Sequence, residues 1–260
     1  MSRESCEVMR LRPWDLDGMT DGLYLRDAYL REFEAKVERA AGGEVILDRT
    51  AFHPEGGGQP ADTGRLIGTS GSVWPVSGVT KSAEGIVHRV EGALPSPGEI
   101  VHGIIDWDRR YTCMRYHTCL HILSGVVFHR FGSDITGGQI YLDRARMDLS
   151  LPEFDRSVAD QVVAEINRVV SQNFPIQVRF VPRAELERNP GLVRVDAELV
   201  PDVQELRVID IQGFDAQADG GTHLHSTGEV GSVTLQKIEN KGARNKRLYL
   251  MLGPPTPGFP

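Results

Sequence analysis

Residues Tyr111–Phe131 read YTCMRYHTCLHILSGVVFHRF, and here the pattern of the chain changes. Met114, His117, Thr118, His121, Ile122 and Gly125 recur at intervals of three and four, the repeat of one helical face. Upstream, between Glu44 and Asp106, short β-prone runs (EVILD, SVWPV, GIVHRV) alternate with the turn-forming clusters GGGQP, GTSGS and PSPG. That spacing predicts a small all-β barrel or sandwich. Downstream, Val158, Val162, Ile166 and Val169 predict a second helix from about Glu153 to Gln172. QVRFV, ELRVIDI, EVGSVTLQKIEN and KRLYLML then read as strands. The expected fold class is α+β: a small β-barrel domain with a Gly-rich motif over residues 19–106, then an α+β domain over 107–252 with helices on an antiparallel sheet. Leu23 to Val37 supports helix or strand alike, residues 1–18 are expected to form a disordered extension, and 253–260 a frayed tail.

Composition narrows the class. With 260 residues, 40% hydrophobic and 25% charged, the chain has material for one large core or two small ones, which excludes a disordered or fibrous protein. Lys and Arg number 29 against 36 Asp and Glu, a formal net charge of -7. Coating nucleic acid through bulk positive charge is therefore disfavoured, and any polynucleotide must be met by a local basic patch. Three cysteines, Cys6, Cys113 and Cys119, make no disulfide framework and point to a reducing compartment. The apolar runs are short and the first residues build no secretory segment, so no membrane role and a cytoplasmic location are expected.

His117 and His121, four apart, share one face of a helix and lie about a turn apart, which lets two ring nitrogens converge on one metal ion. The pair alone reads equally as core or capping histidines. Asp219-Gly-Gly-Thr-His223-Leu-His225 adds a third nitrogen from His223, and a fourth ligand from Asp219, His225 or water. Three protein ligands and an open position suit a catalytic ion, and a closed set of four a structural one. The plainer reading is a tight turn capped by Asp219 with solvated histidines. Cys113 and Cys119 read as small packing residues. Thr118 and Thr222 sit beside the ligand positions, where a hydroxyl either holds water or substrate or satisfies backbone. Gln59 follows Gly56-Gly57-Gly58, a run that admits close approach of a ligand or simply a turn. Basic residues cluster twice, as Arg109, Arg110 and Arg115 and as Lys237, Lys241, Arg244, Lys246 and Arg247. Each cluster suits phosphate binding or a solvated face.

Taken in order, MRYHTCLHIL and DAQADGGTHLHSTGEVG resemble the editing domain of alanyl-tRNA synthetase and its freestanding relatives, the alanyl-tRNA editing proteins of the AlaX type. AFHPEGGGQPADTGRL is similar to the Gly-rich element in the N-terminal barrel of their medium-length form, and IDWDRRYTCMR and ENKGARNKRLYLML also match. The likeness spans Leu23 to Leu252. It implies a hydrolase that cleaves the ester linking a wrong amino acid, serine or glycine, to alanine tRNA, with one zinc ion per chain held by an H-x-x-x-H helix and a C-x-x-x-H element. His117, His121 and His223 match three ligand positions, and Asp219 stands where synthetase-type domains have cysteine, a harder donor for zinc that either binds or leaves the place to water. For the metal the favoured role joins positioning of the substrate to activation of water, and Thr118, Thr222 and Gln59, from their places beside the ligands and the glycine run, are the candidate catalytic residues. The glycine run and the basic clusters give candidate tRNA contacts at Gly57, Gly58, Arg109, Arg110, Arg115, Lys241, Arg244, Lys246 and Arg247, and the resemblance adds Gln139 in the expected loop Thr136-Gly-Gly-Gln139. The length leaves no room for an aminoacylation domain, so tRNA charging is not expected. Two alternatives stand beside this one: a non-catalytic tRNA-binding protein with a structural zinc, and a metal hydrolase of another small ester.

Overall fold

Alternating burial marks β-strands such as those at Glu32–Ala41, Val73–Ser82 and Ile100–Ile105. A computed structural model describes residues 20–133, 135–151, 154–194, 203–242 and 245–258; residues 1–18 and Arg244 lie outside the described residues. The first strands are β1 (Asp21–Gly22), β2 (Glu32–Ala41), β3 (Glu44–Leu47), β4 (Arg49–Thr50), β5 (Gly64–Gly68), β6 (Val73–Ser82), β7 (Gly85–Val90) and β8 (Ile100–Ile105). Six of them close a barrel in the order β2-β3-β7-β6-β5-β8, and closure leaves no unpaired edge. Leu23–Leu25 is a single 3-10 turn, and the ambiguous segment becomes a strand at Glu32, where Phe33, Ala35 and Val37 point inward in strict alternation. With Val45, Leu47, Leu66, Trp74 and Val101 they fill the barrel.

The switch of period falls directly after β8. The Asp106 carboxylate accepts the Arg109 N–H at 3.4 Å and caps α1 (Trp107–Phe131), which ends at Gly132 in the left-handed region. There follow β9 (Ile135–Ile140), β10 (Ala145–Leu149), α2 (Arg156–Ser171), β11 (Ile176–Pro182), α3 (Arg183–Arg188), β12 (Glu205–Ile211), β13 (Asp215–Ala218), β14 (Val233–Asn240) and β15 (Lys246–Leu252). The fold is α+β as expected, but with two antiparallel sheets, β14-β15-β10-β9 and β11-β12-β13, in place of one. α1 shares a core with Ala145, Met147 and Leu250 of the first sheet and Ile209 and Ile211 of the second, so it is covered on nearly every side. α2 turns Ala159, Val162, Ile166 and Val169 to the same core and starts at Arg156 because Asp155 caps it, accepting the Val158 N–H at 2.9 Å.

Three expectations need correction. Thr136–Gln139 is not a loop: it is the middle of strand β9, hydrogen-bonded to β10. The tail after Leu252 does not fray at its start, since the Gly253 N–H donates to Ser232 and the Thr256 hydroxyl donates to the Gly228 carbonyl at 2.9 Å. Arg110 and Arg115 are buried and do not face phosphates. Arg110 donates to Ala28 and Ala51 carbonyls at 2.7 and 2.6 Å and pairs with buried Asp62, so it stitches α1 to the barrel. Arg115 donates to the carbonyls of Val230 and Gly253, at 2.7 and 2.6 Å.

A second stitch lies at the Gly-rich turn. Gly58 has a φ of 78°, and a Cβ there would stand 2.5 Å from the Gly138 carbonyl oxygen, so only glycine lets the barrel turn lie against β9. Its own carbonyl accepts the Ile140 N–H at 2.8 Å.

Candidate metal centre

The four-residue repeat of α1 sets the His117 and His121 rings 5.2 Å apart, centroid to centroid. His223, from the turn after β13, packs against both at 4.3 and 4.4 Å. Asp219 enters from the start of that turn, with Oδ1 3.5 Å from His117 Nε2 and 3.8 Å from His121 Nε2, and Oδ2 3.0 Å from His223 Nε2. All four donor atoms lie within 4.8 Å of one another. Ligands ~2.0–2.1 Å from a tetrahedral zinc stand about 3.4 Å apart, so the observed spacings suit one four-coordinate ion. Gly221 is required by this arrangement: any side chain there would collide with the His117 ring.

The electrostatics also suit a cation. Burial pulls His117 down to about 4 and His223 well below the ordinary histidine value, which leaves both neutral with a lone pair to give. Burial alone would raise Asp219, but His117 beside it and hydrogen bonds from His121 and His223 hold the carboxyl well below its usual value. Buried Arg207 donates to the Asp219 carbonyl at 2.8 Å and to the Leu25 carbonyl at 2.8 Å, which ties the turn to the barrel side.

Gln59 fixes the orientation of His117. Its Oε1 accepts the backbone N–H of Thr222 at 3.1 Å, which identifies that atom as the oxygen. The same oxygen lies 2.9 Å from His117 Nδ1, so Nδ1 carries the proton and Nε2 presents its lone pair to the cluster. Gln59 Nε2 donates to the Thr222 hydroxyl at 2.8 Å. Thr118 accepts the Leu224 N–H at 3.1 Å and approaches His223 Nδ1 at 3.4 Å. Gln59, Thr118 and Thr222 are all fully buried and occupied by protein partners, so they hold the cluster in place where the sequence suggested contact with substrate.

His225 is not part of the cluster. It is exposed and stacks on Tyr29 with ring centroids 3.8 Å apart. Beside His117, His121 and Asp219 lies a cavity of about 100 Å³, lined also by Gly57, Gly138, Ser124, Arg194 and Gln217. Sequence reasoning missed these last three. Ser124 carried a signal, three residues beyond His121 on the same helical face, whereas Arg194 and Gln217 carried none. Of the remaining expected tRNA contacts, Arg109 is half-buried and donates to the Ala61 carbonyl at 2.9 Å, and Gln139 is half-buried on β9. Lys237 and Lys241 flank Glu239, at 2.5 and 3.2 Å, Lys246 reaches Asn240 at 2.8 Å, and Arg247 clasps Asp148 at 2.5 and 2.7 Å.

Residues 206–249 match the family described as threonyl and alanyl tRNA synthetase second additional domain, and residues 24–109 match tRNA synthetases class II (A). The chain is 39% identical over 91% of its length to the alanyl-tRNA editing protein AlaX-M of Saccharolobus solfataricus, all of which it covers. It is 41% identical over 90% of its length to the protein of the same name from Methanosarcina acetivorans, covering 99% of it. With the alanine–tRNA ligase of Pyrococcus abyssi it shares 40% identity over 85% of its length, covering 24% of that enzyme.

Proposed function

The chain belongs to the alanyl-tRNA editing proteins of the AlaX-M type, and from that premise we propose that it hydrolyses, in trans, the ester of alanine tRNA mischarged with serine or glycine, at one zinc ion. The observation that carries the zinc reading is the buried set His117, His121, His223 and Asp219, whose donor atoms lie within 4.8 Å of one another. Bound there, zinc supplies Lewis-acid polarisation of an ester carbonyl and activation of water. The chain's own residues do the rest. Gln59 keeps the His117 proton on Nδ1, Thr118 and Thr222 lock the DGGTH turn to helix and barrel, and the apolar walls at Leu120, Ile135 and Met147 restrict water beside the reacting bond.

The tRNA body has a matching surface. In register across the first sheet run Gln139, Arg146, Tyr249 and Lys237, from β9 beside the cavity to β14. Lys237 stands 4.3 Å over the Tyr249 ring, and Arg247 lies two residues along β15 on the same face as Tyr249, an interleaving of cation and aromatic ring suited to an RNA backbone; Lys246 opens β15 and Lys241 follows β14. Arg109 and the Gly57–Gly58 turn would meet the acceptor end. Among the described residues no helix is long and apolar enough to cross a membrane, and work on tRNA suits the cytoplasm.

Incubation with seryl-, glycyl- and alanyl-charged alanine tRNA tests the function. Release of serine or glycine faster than alanine is expected, abolished by a chelator, restored by zinc, and lost in His117→Ala. Steady release after complete metal removal would leave the cluster without a catalytic part. No release from any mischarged tRNA would favour a non-catalytic tRNA-binding protein with a structural zinc.

A further inference from the structure

An editing hydrolase for alanine tRNA faces a problem of size. The seryl ester exceeds the alanyl ester by one hydroxyl, so a cavity that admits serine's side chain also admits alanine's. Shape cannot separate them, and selectivity must come from polar groups that a methyl leaves unpaired. The cavity beside the metal cluster has such a wall. At about 100 Å³ it is a fraction of the roughly 300–1,000 Å³ of a site for larger organic ligands, so it takes an aminoacyl group rather than a nucleobase.

The wall is built, not incidental. The Ser124 hydroxyl donates its one proton to Gln217 Oε1 at 2.8 Å, and Gln217 Nε2 donates to the His121 carbonyl at 3.1 Å and to Asp215 Oδ2 at 2.6 Å. Arg194 Nη2 donates to Asp215 Oδ1 at 2.7 Å and Nε to the Gly191 carbonyl at 2.6 Å, with the guanidinium 3.6 Å over the Phe128 ring. Ser124, Gln217 and Arg194 are only 2%, 5% and 7% exposed. Two capacities stay open: the lone pairs of Ser124 Oγ, whose proton is committed, and Arg194 Nη1, which has no partner among the described residues. Both residues line the cavity, and an acceptor beside an uncommitted donor is the complement of a hydroxyl, which both gives and takes one hydrogen bond.

We propose that Ser124 and Arg194 form a serine-selective subsite that binds the side-chain hydroxyl of the seryl ester and so separates it from the alanyl ester. The inference rests on the editing function proposed above. Glycine has no side chain to place there and serves as the internal reference.

Nonhydrolysable 3′-amide analogues of seryl-, alanyl- and glycyl-adenosine, titrated calorimetrically into the zinc-loaded protein, give the direct readout, with deacylation of the corresponding charged tRNAs alongside. The protein is expected to bind the seryl analogue at least ~10-fold more tightly than the alanyl one, as for sites built to bond a substrate hydroxyl. In Ser124→Ala that preference, and the ratio of seryl to glycyl deacylation, should collapse to within about threefold. Arg194→Lys keeps the charge beside Asp215 but loses the forked donor, and should narrow the ratio in the same direction. Thermal melts and metal content of each variant separate selectivity from misfolding. A seryl preference that survives in Ser124→Ala, or parallel losses on seryl and glycyl tRNA, would overturn the subsite while leaving the editing function intact. Absence of deacylation of every mischarged tRNA by the unsubstituted protein would instead overturn the editing function, and the subsite with it.

Discussion

Gln59 makes two hydrogen bonds that decide the protonation of His117, and it comes from the barrel, not from the unit that supplies the ligands. Gln59→Leu should therefore weaken zinc binding by about 10- to 100-fold, as removal of an orienting partner does elsewhere. Competition with a chromogenic chelator measures it, and unchanged affinity would assign the tautomer to some other contact. The three histidines of the cluster were visible in the sequence because helical spacing and a Gly-Gly turn are local signals, while Asp219 stood there beside His225 and water as a candidate for the fourth place. Gln59 was visible as a motif residue, yet its burial was not. Arg110 and Arg115 misled for the same reason: they stand beside the first ligand like a phosphate-binding cluster, but their acceptors are distant in sequence, as Ala28, Ala51 and Asp62 are for Arg110.

At the scale of elements, α1 is the hinge between barrel and sheets, and the Arg110–Asp62 pair carries that attachment. Asp62→Ala leaves a guanidinium buried and uncompensated and should cost about 3–5 kcal/mol, while the double substitution Asp62→Ala, Arg110→Met should cost less than the sum of the single changes. Urea unfolding of the four proteins of this cycle gives the coupling, and strict additivity would contradict it. α1 and α2 were legible from periodicity and β12 from its apolar run, whereas β2 read equally as helix until its partners fixed its alternation, and α3 was not foreseen. β9 was not, because Gly137 and Gly138 present no side chain to alternate and the strand exists through its partners β10 and the barrel turn. β13 is only four residues long, too short for a period to declare itself.

For the whole molecule, acid is the natural weak point. His88 lies inside the barrel, its Nδ1 donating to the Val45 carbonyl at 3.1 Å and its Nε2 accepting from the Thr50 hydroxyl at 2.8 Å. Burial lowers it from 6.5 to about 4. The unfolded chain thus takes up a proton at higher pH than the folded one, so this contribution is complete above pH 6.5 and is lost as pH falls toward 4, up to about 3 kcal/mol. In His88→Leu the melting temperature should change less steeply across that window, whatever its absolute level. An equally steep acid limb would place the sensitivity in other groups.

In the proposed zinc site the barrel supplies no donor atom, and yet its Gln59 holds the His117 imidazole. Occupancy of the metal site and integrity of the barrel are therefore linked equilibria. Metal that binds only the assembled chain stabilises a β-structure it never touches, by an amount set by free zinc concentration. A chain starved of zinc would be expected to lose protection first at the seam where the Gly-rich turn meets the helix, and a partly folded chain without its barrel would hold zinc poorly. On the proposed zinc reading, ion retention would report that both halves of the molecule are in place.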